Sequence, residues 1–421
     1  MNATTDFAAT IGLDWADQKH DLWLHPADGT KTEHVRLEQT PEAIHEWVAK
    51  LGDRFGHRRV AIGIETTRGP VLSALLAYDF IVFFPINPKA LKDYRAAFAV
   101  SGAKDDRTDA MLLEEFVRLH GGKLHALAPD TQLTRQLGGL TENRRRVVDE
   151  RTRLVNQMHG LLKTYYPLAE TLLDGNLNTP MAADFLARWP DLADLQKAPV
   201  ETVRAFFYQH NSRGAKKMEE RLAAVAKARP LTEDPAIITP ARHLATALAG
   251  MLKPLHRAIA DLDQAIAEAF DQHPDAALFR SLPGAGPALA PRLLCAFGTQ
   301  RDRFASAAEV AEFYGIAPVV KQSGKTKTTQ MRYRCPKFGR QTFHENAGCA
   351  CKREPWAKRY YEDQKGKAEG KHHKACRALA YKLIRIYYAC WKQNVPYDGL
   401  RYLQALEKHG SPLHKKLQTP I

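Results

Sequence analysis

The chain has 421 residues, 44% of them hydrophobic and 26% charged, which is the balance of a globular protein long enough for two or three cores and excludes a disordered or fibrous chain. Lys+Arg 61 against Asp+Glu 47 leaves +14 and a pI near 9.4, pointing to a polyanionic partner. The longest apolar run, "FIVFFPI", is too short to span a bilayer, so no membrane partner is expected.

Taken in chain order, "ATIGLDWADQKHDLWLHPADGTKTEHVRLE" reads as three short strands with a turn at Asp28-Gly29. "PEAIHEWVAKL" has helical spacing, "RRVAIGIET" is a fourth strand, and "GPVLSALLAYD" is a helix opened by Gly69-Pro70. "FIVFFPIN" is a fifth strand, apolar enough to be buried on both faces. Helices then start at Pro88 and, over Asp106 to His120, at the acidic segment "SGAKDDRTDA". Three strands, a helix, then alternating strand and helix is the order of an α/β ribonuclease-H-like domain.

Two acids sit oddly for strands. Asp14 ends "TIGLD" and Glu65 ends "VAIGIE", so both fall at the carboxyl edge of the sheet, where open α/β folds place their sites. Asp106 and Asp109 are three apart and share a helix face, while Asp105 points elsewhere. Taken singly, each is a strand-end turn acid or a helix-start acid complementing the dipole. Together, four carboxylates from three elements form a set of hard oxygen donors for Mg2+ or Mn2+, and such ions can activate a nucleophile and stabilise a leaving oxygen at phosphorus. Actin-like kinases also begin with a strand ending in Asp, but here Trp15 follows Asp14 and no glycine-bearing phosphate turn or GxxxxGK[ST] is present.

From Thr131 to Tyr165, Leu133, Leu137, Leu140, Val147, Leu154, Met158 and Leu161 keep helical spacing, with Arg144, Arg145, Arg146, Arg151 and Arg153 on the other face. A second long helix starts near Pro240, with Leu244, Leu248, Met251, Leu255, Ile259, Leu262, Ile266 and Phe270 in an eleven-residue repeat and a kink expected at Pro254. The segment between them reads as a small helical insertion. Residues 131–275 are thus expected to form an antiparallel coiled-coil arm between a domain at 1–130 and one at 276–421. Oligomerisation and simple intramolecular packing both account for such an arm.

The basicity is local: Lys321 to Lys392 holds 19 Lys+Arg and 5 Asp+Glu, leaving the rest of the chain neutral. Just before it, "SLPGAGPALAPRLLCAFG" has the form of a helix-hairpin-helix, whose Gly284-Ala285-Gly286 turn suits approach of backbone N–H groups to a phosphate. "SAAEVAEFYG" is a helix ended by Gly315. Ser323 precedes Gly324 in a turn with Lys321, Lys325 and Lys327 nearby; the pair is either a structural turn or a hydroxyl that neighbouring cations help to attack a phosphodiester. Cations alternate with aromatics in "MRYRCPKFGRQTFHE", making Arg332, Arg334, Lys337 and Arg340 candidate nucleic-acid contacts along with Arg144 and Arg145. "KHHKACRALAYKLIRIYYACWK" is a helix. The spacing of Cys335, His344, Cys349, Cys351 and Cys376 fits no familiar zinc finger. With six cysteines and no signal-like start, a reducing, cytoplasmic setting is expected.

"IGLDWADQKHDL", "IGIET", "AKDDRTDA", "SLPGAGPALAPRLLCAFG", "RFASAAEVAEFYGIAPVVKQSGK" and "CPKFGRQTFHENA…WAKRYYEDQKGK", in this order, resemble the DEDD transposases of the "IS one-ten" insertion-sequence family. The resemblance implies a RuvC-like domain, a coiled-coil arm and a serine-bearing transposase domain. It makes Asp14, Glu65, Asp106 and Asp109 the metal-binding acids, with Asp105 a mere neighbour, and makes Ser323 the nucleophile that forms a phosphoserine link to DNA. It further implies donor and target DNA as substrates, a structured guide RNA, and a homo-oligomer, dimer or tetramer, in which the acids of one subunit meet the serine of another. After Ser323 the chain reads "GKTKTTQMRYRCPKFGRQ", which departs from the shorter form of many relatives. Two other readings compete: a RuvC-type junction resolvase using the acids and a metal-activated water, and a basic nucleic-acid-binding protein without catalysis.

Overall fold

The computed structural model describes residues 7–65, 69–98, 106–324, 326–367 and 369–418. The chain divides into two compact units, Met1–Pro129 and Asp130–Ile421.

The first unit is a mixed α/β layer. Strands β1 (Ala9–Asp14), β2 (Lys19–Pro26), β3 (Glu33–Glu38), β4 (Val60–Ile64) and β5 (Ile81–Pro85) form one sheet in the order β3-β2-β1-β4-β5. β1 is antiparallel to β2 and parallel to β4, and β4 is parallel to β5. Helix α1 (Pro41–Phe55) starts where the Thr40 hydroxyl accepts the Ala43 N–H at 3.2 Å and stops at Gly56, which has φ +59°. The helices α2 (Pro70–Leu75), α3 (Pro88–Phe98) and α4 (Asp106–His120) complete the unit. Strand alternation sorts the side chains into two cores. Ile11, Leu13, Ile62 and Ile64 pack with Val48 and Leu51 of α1 and Val71 of α2. On the other face Ala61 and Phe84 pack with Leu112, Leu113 and Val117 of α4.

That second face is cut low for α4. A Cβ on Gly12 would stand 1.8 Å from the Ala110 carbonyl oxygen, and one on Gly63 2.7 Å from that of Leu113. Only glycine lets the helix backbone settle onto the strands there.

The second unit is mostly helical. Its long helices α5 (Gln132–Tyr165) and α11 (Pro235–Asp271) run antiparallel. Arg144 pairs with Asp263, and ten residues back along α5 the Thr134 hydroxyl meets His273 Nε2 at 3.0 Å, just past the end of α11. Between them lie α6 (Pro167–Leu172), α7 (Pro180–Arg188), α8 (Leu192–Lys197), α9 (Val200–Gln209) and α10 (Ala215–Lys227), which close a separate core around Phe185, Trp189, Phe206 and Phe207.

The expected stripe on α11 is wrong at two positions. Leu244 is 40% and Met251 54% exposed, while Ala241, Ala245, Leu248, Leu252, Ile259 and Ile266 are buried. With the half-buried Leu255 and Leu262, the inward steps alternate four and three residues, which is a seven-residue pattern rather than an eleven-residue one. Alanines carry the seam where a larger side chain was looked for. The helix is continuous through Pro240 and Pro254.

The remaining elements are α12 (Ala276–Ser281), α13 (Ala290–Phe297), α14 (Ala307–Phe313), β6 (Val319–Ser323), β7 (Thr326–Gln330), α15 (Lys337–Arg353), α16 (Pro355–Lys367), α17 (His372–Gln393), α18 (Gly399–Lys408) and α19 (Pro412–Leu417). Phe279, Phe297, Phe343, Tyr387 and Trp391 centre their core, which also takes in Leu137 of α5 and Ile266 and Phe270 of α11. β6 and β7 form an antiparallel hairpin that the sequence shows only as a turn, because past Val319 and Val320 its residues are polar and nearly all are exposed. Among the described residues no helix is long and apolar enough to cross a membrane.

Candidate functional site

In the first unit, Asp14 and Glu65 reach the same edge. The β1–β4 register ends at Leu13 opposite Ile64, so the next residue of each strand path is an acid. Residue parity puts Asp14 in line with Thr10 and Gly12, and Glu65 in line with Ala61 and Gly63, all on the α4 side.

The crossing of α4 fixes what lies opposite. The Thr10 hydroxyl donates to Glu114 at 2.5 Å, and Gly12 lies against Ala110. Gly12 also lies against the Glu114 nitrogen, so β1 meets α4 at the Ala110–Glu114 turn, one to two turns after the helix starts at Asp106. The side chain of Asp106, and the whole of Asp105, lie outside the described residues.

Asp109, one turn into α4, is buried and ion-paired with Arg95 of α3. Its carboxylate therefore carries a counter-charge. Among the described residues no group of three or more His, Cys, Asp and Glu is arranged to hold a metal ion. The structure thus brings Asp14 and Glu65 to one edge of the sheet and ties Asp109 to a guanidinium.

One acid escaped the sequence reading. Asp21 lies directly across from Asp14 in the β1–β2 register, is buried, and receives His34 Nε2 at 2.5 Å and Arg36 Nε at 3.5 Å. The hairpin around Asp17-Gln18 carried the signal, since folding it back at those residues aligns the two aspartates. Close by, the Arg107 guanidinium lies 5.3 Å from the Trp23 ring centre, pinning the first turn of α4 to β2.

In the second unit, Ser323 is the exposed last residue of β6, opposite Thr326, and Gly324 takes the turn at φ +55°. Lys321 shares its face of the ribbon, whereas Lys327 stands opposite Gln322 on the other face. Lys325 lies outside the described residues. Beyond the hairpin Arg334 and Lys337 are exposed, and Arg340 Nη1 donates to the Arg332 carbonyl at 3.3 Å.

The glycine turn between α12 and α13 is closely packed. A Cβ on Gly284 would meet the Ala350 backbone nitrogen at 2.5 Å, and Gly284 has φ +73°. The N–H groups of Ala285 and Gly286 donate within the turn, to Leu282 and Gly284. Gly284 therefore answers the close packing on α15. Arg144 and Arg145 are likewise engaged, the first with Asp263 and the second with Asp149 and Glu345.

A family model described as a transposase, the DEDD transposase of IS110, matches residues 11–167, and a second, described as a transposase of the IS116/IS110/IS902 family, matches residues 276–362. The candidate transposase of the IS117 mini-circle of Streptomyces coelicolor is 30% identical over 329 residues, covering 76% of this chain and 79% of that protein. The 43.6 kDa protein of insertion element IS110 from the same organism is 26% identical over 95% of this chain and 98% of its own length. The 42 kDa protein of insertion element IS900 from Mycobacterium paratuberculosis is 26% identical, covering 92% of this chain and 96% of that one.

Proposed function

This chain belongs to the IS116/IS110/IS902 family of transposases, and we propose that it cleaves and exchanges DNA strands through an acidic metal site and a serine nucleophile, guided by a structured RNA. The observation that carries the reading is the pairing of Asp14 and Glu65 at neighbouring strand ends, beneath a helix that starts at Asp106 and rests on Gly12 and Gly63. The strand order β3-β2-β1-β4-β5, with β2 antiparallel, supports reading the sheet as ribonuclease-H-like.

Asp14, Glu65, Asp106 and Asp109 are the residues that would hold a divalent cation, Mg2+ or Mn2+. Their carboxylate oxygens are the hard donors such ions take, and two acids at adjacent strand ends favour a cation between them. When bound, the ion supplies charge neutralisation at the phosphoryl group. Arg95 holds the Asp109 carboxylate in place by its ion pair.

Ser323 Oγ attacks the scissile phosphorus. An O–P bond forms to the serine, the P–O bond to one sugar breaks, the hydroxyl proton passes to a base, and the leaving oxygen takes a proton. Lys321, on the same ribbon face, offsets the charge that develops on the phosphoryl oxygens. The protein works on donor and target DNA as a homo-oligomer, and base pairing with the RNA selects the sites.

The test is to express the gene with its native flanking DNA, sequence the RNA that co-purifies, and assay recombination between plasmids carrying the matching sites. A discrete flank-encoded RNA, required for junction formation, is the expected result. Junctions formed at full yield after ribonuclease treatment would overturn the guidance. Cleavage of four-way junctions without an RNA, unaffected by Ser323→Ala, would replace the proposal with a resolvase acting through water.

A further inference from the structure

The second unit holds a cleft of about 680 Å3 between α5, α13, α15 and α17 that none of the chemistry above uses. That volume is in the range of ligand clefts, roughly 300–1,000 Å3. Its lining includes the apolar Val148, Ile266, Leu289 and Phe338 together with Arg144, Arg145, Arg292 and Lys352, and Glu345 is the carboxylate among them.

Arg292 is the telling group. Its side chain is only 10% exposed. Nη1 donates to Glu345 at 2.6 Å and Nε to the Thr342 hydroxyl at 2.9 Å, and the guanidinium lies 4.6 Å from the Phe338 ring centre. Nη2 is buried and has no hydrogen-bond partner among the described residues. A buried N–H left unmade is costly, so the site is short of one acceptor. The surplus of cations asks for an anion, and guanidinium favours phosphate. The apolar part of the lining, with Phe338 beside Arg292, suits a flat, weakly polar body.

We propose that this cleft takes one unpaired nucleotide of a nucleic-acid strand, its base against Phe338 and Leu289 and its phosphate on Arg292, Arg145 and Lys352. The inference rests on the reading that the chain handles nucleic acid, and it goes further in naming where a single base leaves its stack. Arg145 exchanges Glu345 for the phosphate as the nucleotide enters.

Gly348 supplies the test. It lines the cleft from α15, and a Cβ there would meet nothing within 4 Å. Gly348→Leu therefore fills the cleft while removing no contact, and it replaces glycine by a better helix former. Full-length protein, freed of co-purified nucleic acid, is titrated with single strands of DNA and of RNA carrying a fluorescent base analogue that stacking quenches, and with a blunt DNA duplex. The wild type is expected to brighten the analogue on one of the two strands, which identifies the source. Gly348→Leu should abolish the brightening and weaken that strand about ten-fold, as losing one stacked base does, leave the duplex unchanged, and melt no lower than wild type. Lys352→Gln should weaken the same strand alone.

Equal brightening and affinity in Gly348→Leu would overturn the cleft while leaving the transposase reading intact. Failure of the wild type to bind any of the three nucleic acids would count against both.

Discussion

Gly12 lies so close to Ala110 that a methyl group on it would stand 1.8 Å from the Ala110 carbonyl oxygen. Backbone rests on backbone here, and the contact fixes how closely α4 lies on β1. Gly12→Ala must push α4 off the sheet. It should destabilise the first unit by about 3 kcal/mol, the upper end for overpacking, since neither partner is a side chain that can turn aside. Thermal melts of Gly12→Ala and Gly29→Ala separate the effect from general glycine loss, because Gly29 has open space around it and only its φ of +80° to strain.

The seam of the helix pair gives a second prediction. Leu248 is 2% exposed and faces the insertion's core, whereas Met251, three residues on, is 54% exposed. Leu248→Ala should cost about 2–5 kcal/mol. Met251→Gln should stay within about 0.5 kcal/mol. Chemical denaturation of the two variants decides between the seven-residue seam and the eleven-residue alternative, which buries both.

Acid should loosen the second unit. Burial holds His256, His273 and His344 below the ordinary imidazole value of 6.5. His273 shows the reason most plainly: Nδ1 accepts the Asp275 N–H at 3.1 Å, so a proton on that nitrogen would break the bond. The unfolded chain takes up protons near pH 6.5 and the folded one resists. Stability is therefore complete above that pH and falls as pH drops below it, until the lowered folded values are passed, at up to about 1.4 kcal/mol per pH unit for each histidine. Melting temperatures at pH 7.5, 6 and 5 (about a unit apart) follow the loss. His273→Gln, which cannot titrate, should flatten the slope.

Period and punctuation carried most of the first unit into view. The two-residue alternation of "TIGLDW" and "VAIGIE", the Asp28-Gly29 turn and the prolines at 70 and 88 mark elements found where they were expected. What stayed hidden depends on neighbours distant in sequence. Nothing near Asp21 says that a hairpin will place it across from Asp14, and nothing near Gly284 says that Ala350 will lie against it. Alanine is the other blind spot: Ala241 and Ala245 fill the α11 seam, whereas the spacing of large apolar residues points to Leu244. The β6–β7 ribbon has no apolar alternation at all, so its strands could not be seen.

Ser323 is exposed and tightly constrained only by its hairpin, so Ser323→Ala should leave stability within about 0.5 kcal/mol of wild type. Any loss it causes is then chemical. Asp14→Asn keeps the size of the side chain and removes its charge. It should slow strand cleavage by about 10²–10³-fold or more, the scale on which one charge-stabilising group acts.

The most direct measurement uses the assembled complex with a DNA substrate nicked so that the reaction stalls after the first strand is cut, run under denaturing conditions to reveal protein joined to DNA. The wild type should give a denaturant-resistant adduct mapping by peptide mass to Ser323. Ser323→Ala should give neither adduct nor cleavage, and Asp14→Asn a trace of each. An adduct that persists in Ser323→Ala, or cleavage at the wild-type rate with no adduct, would contradict the serine mechanism and leave the acids acting through water.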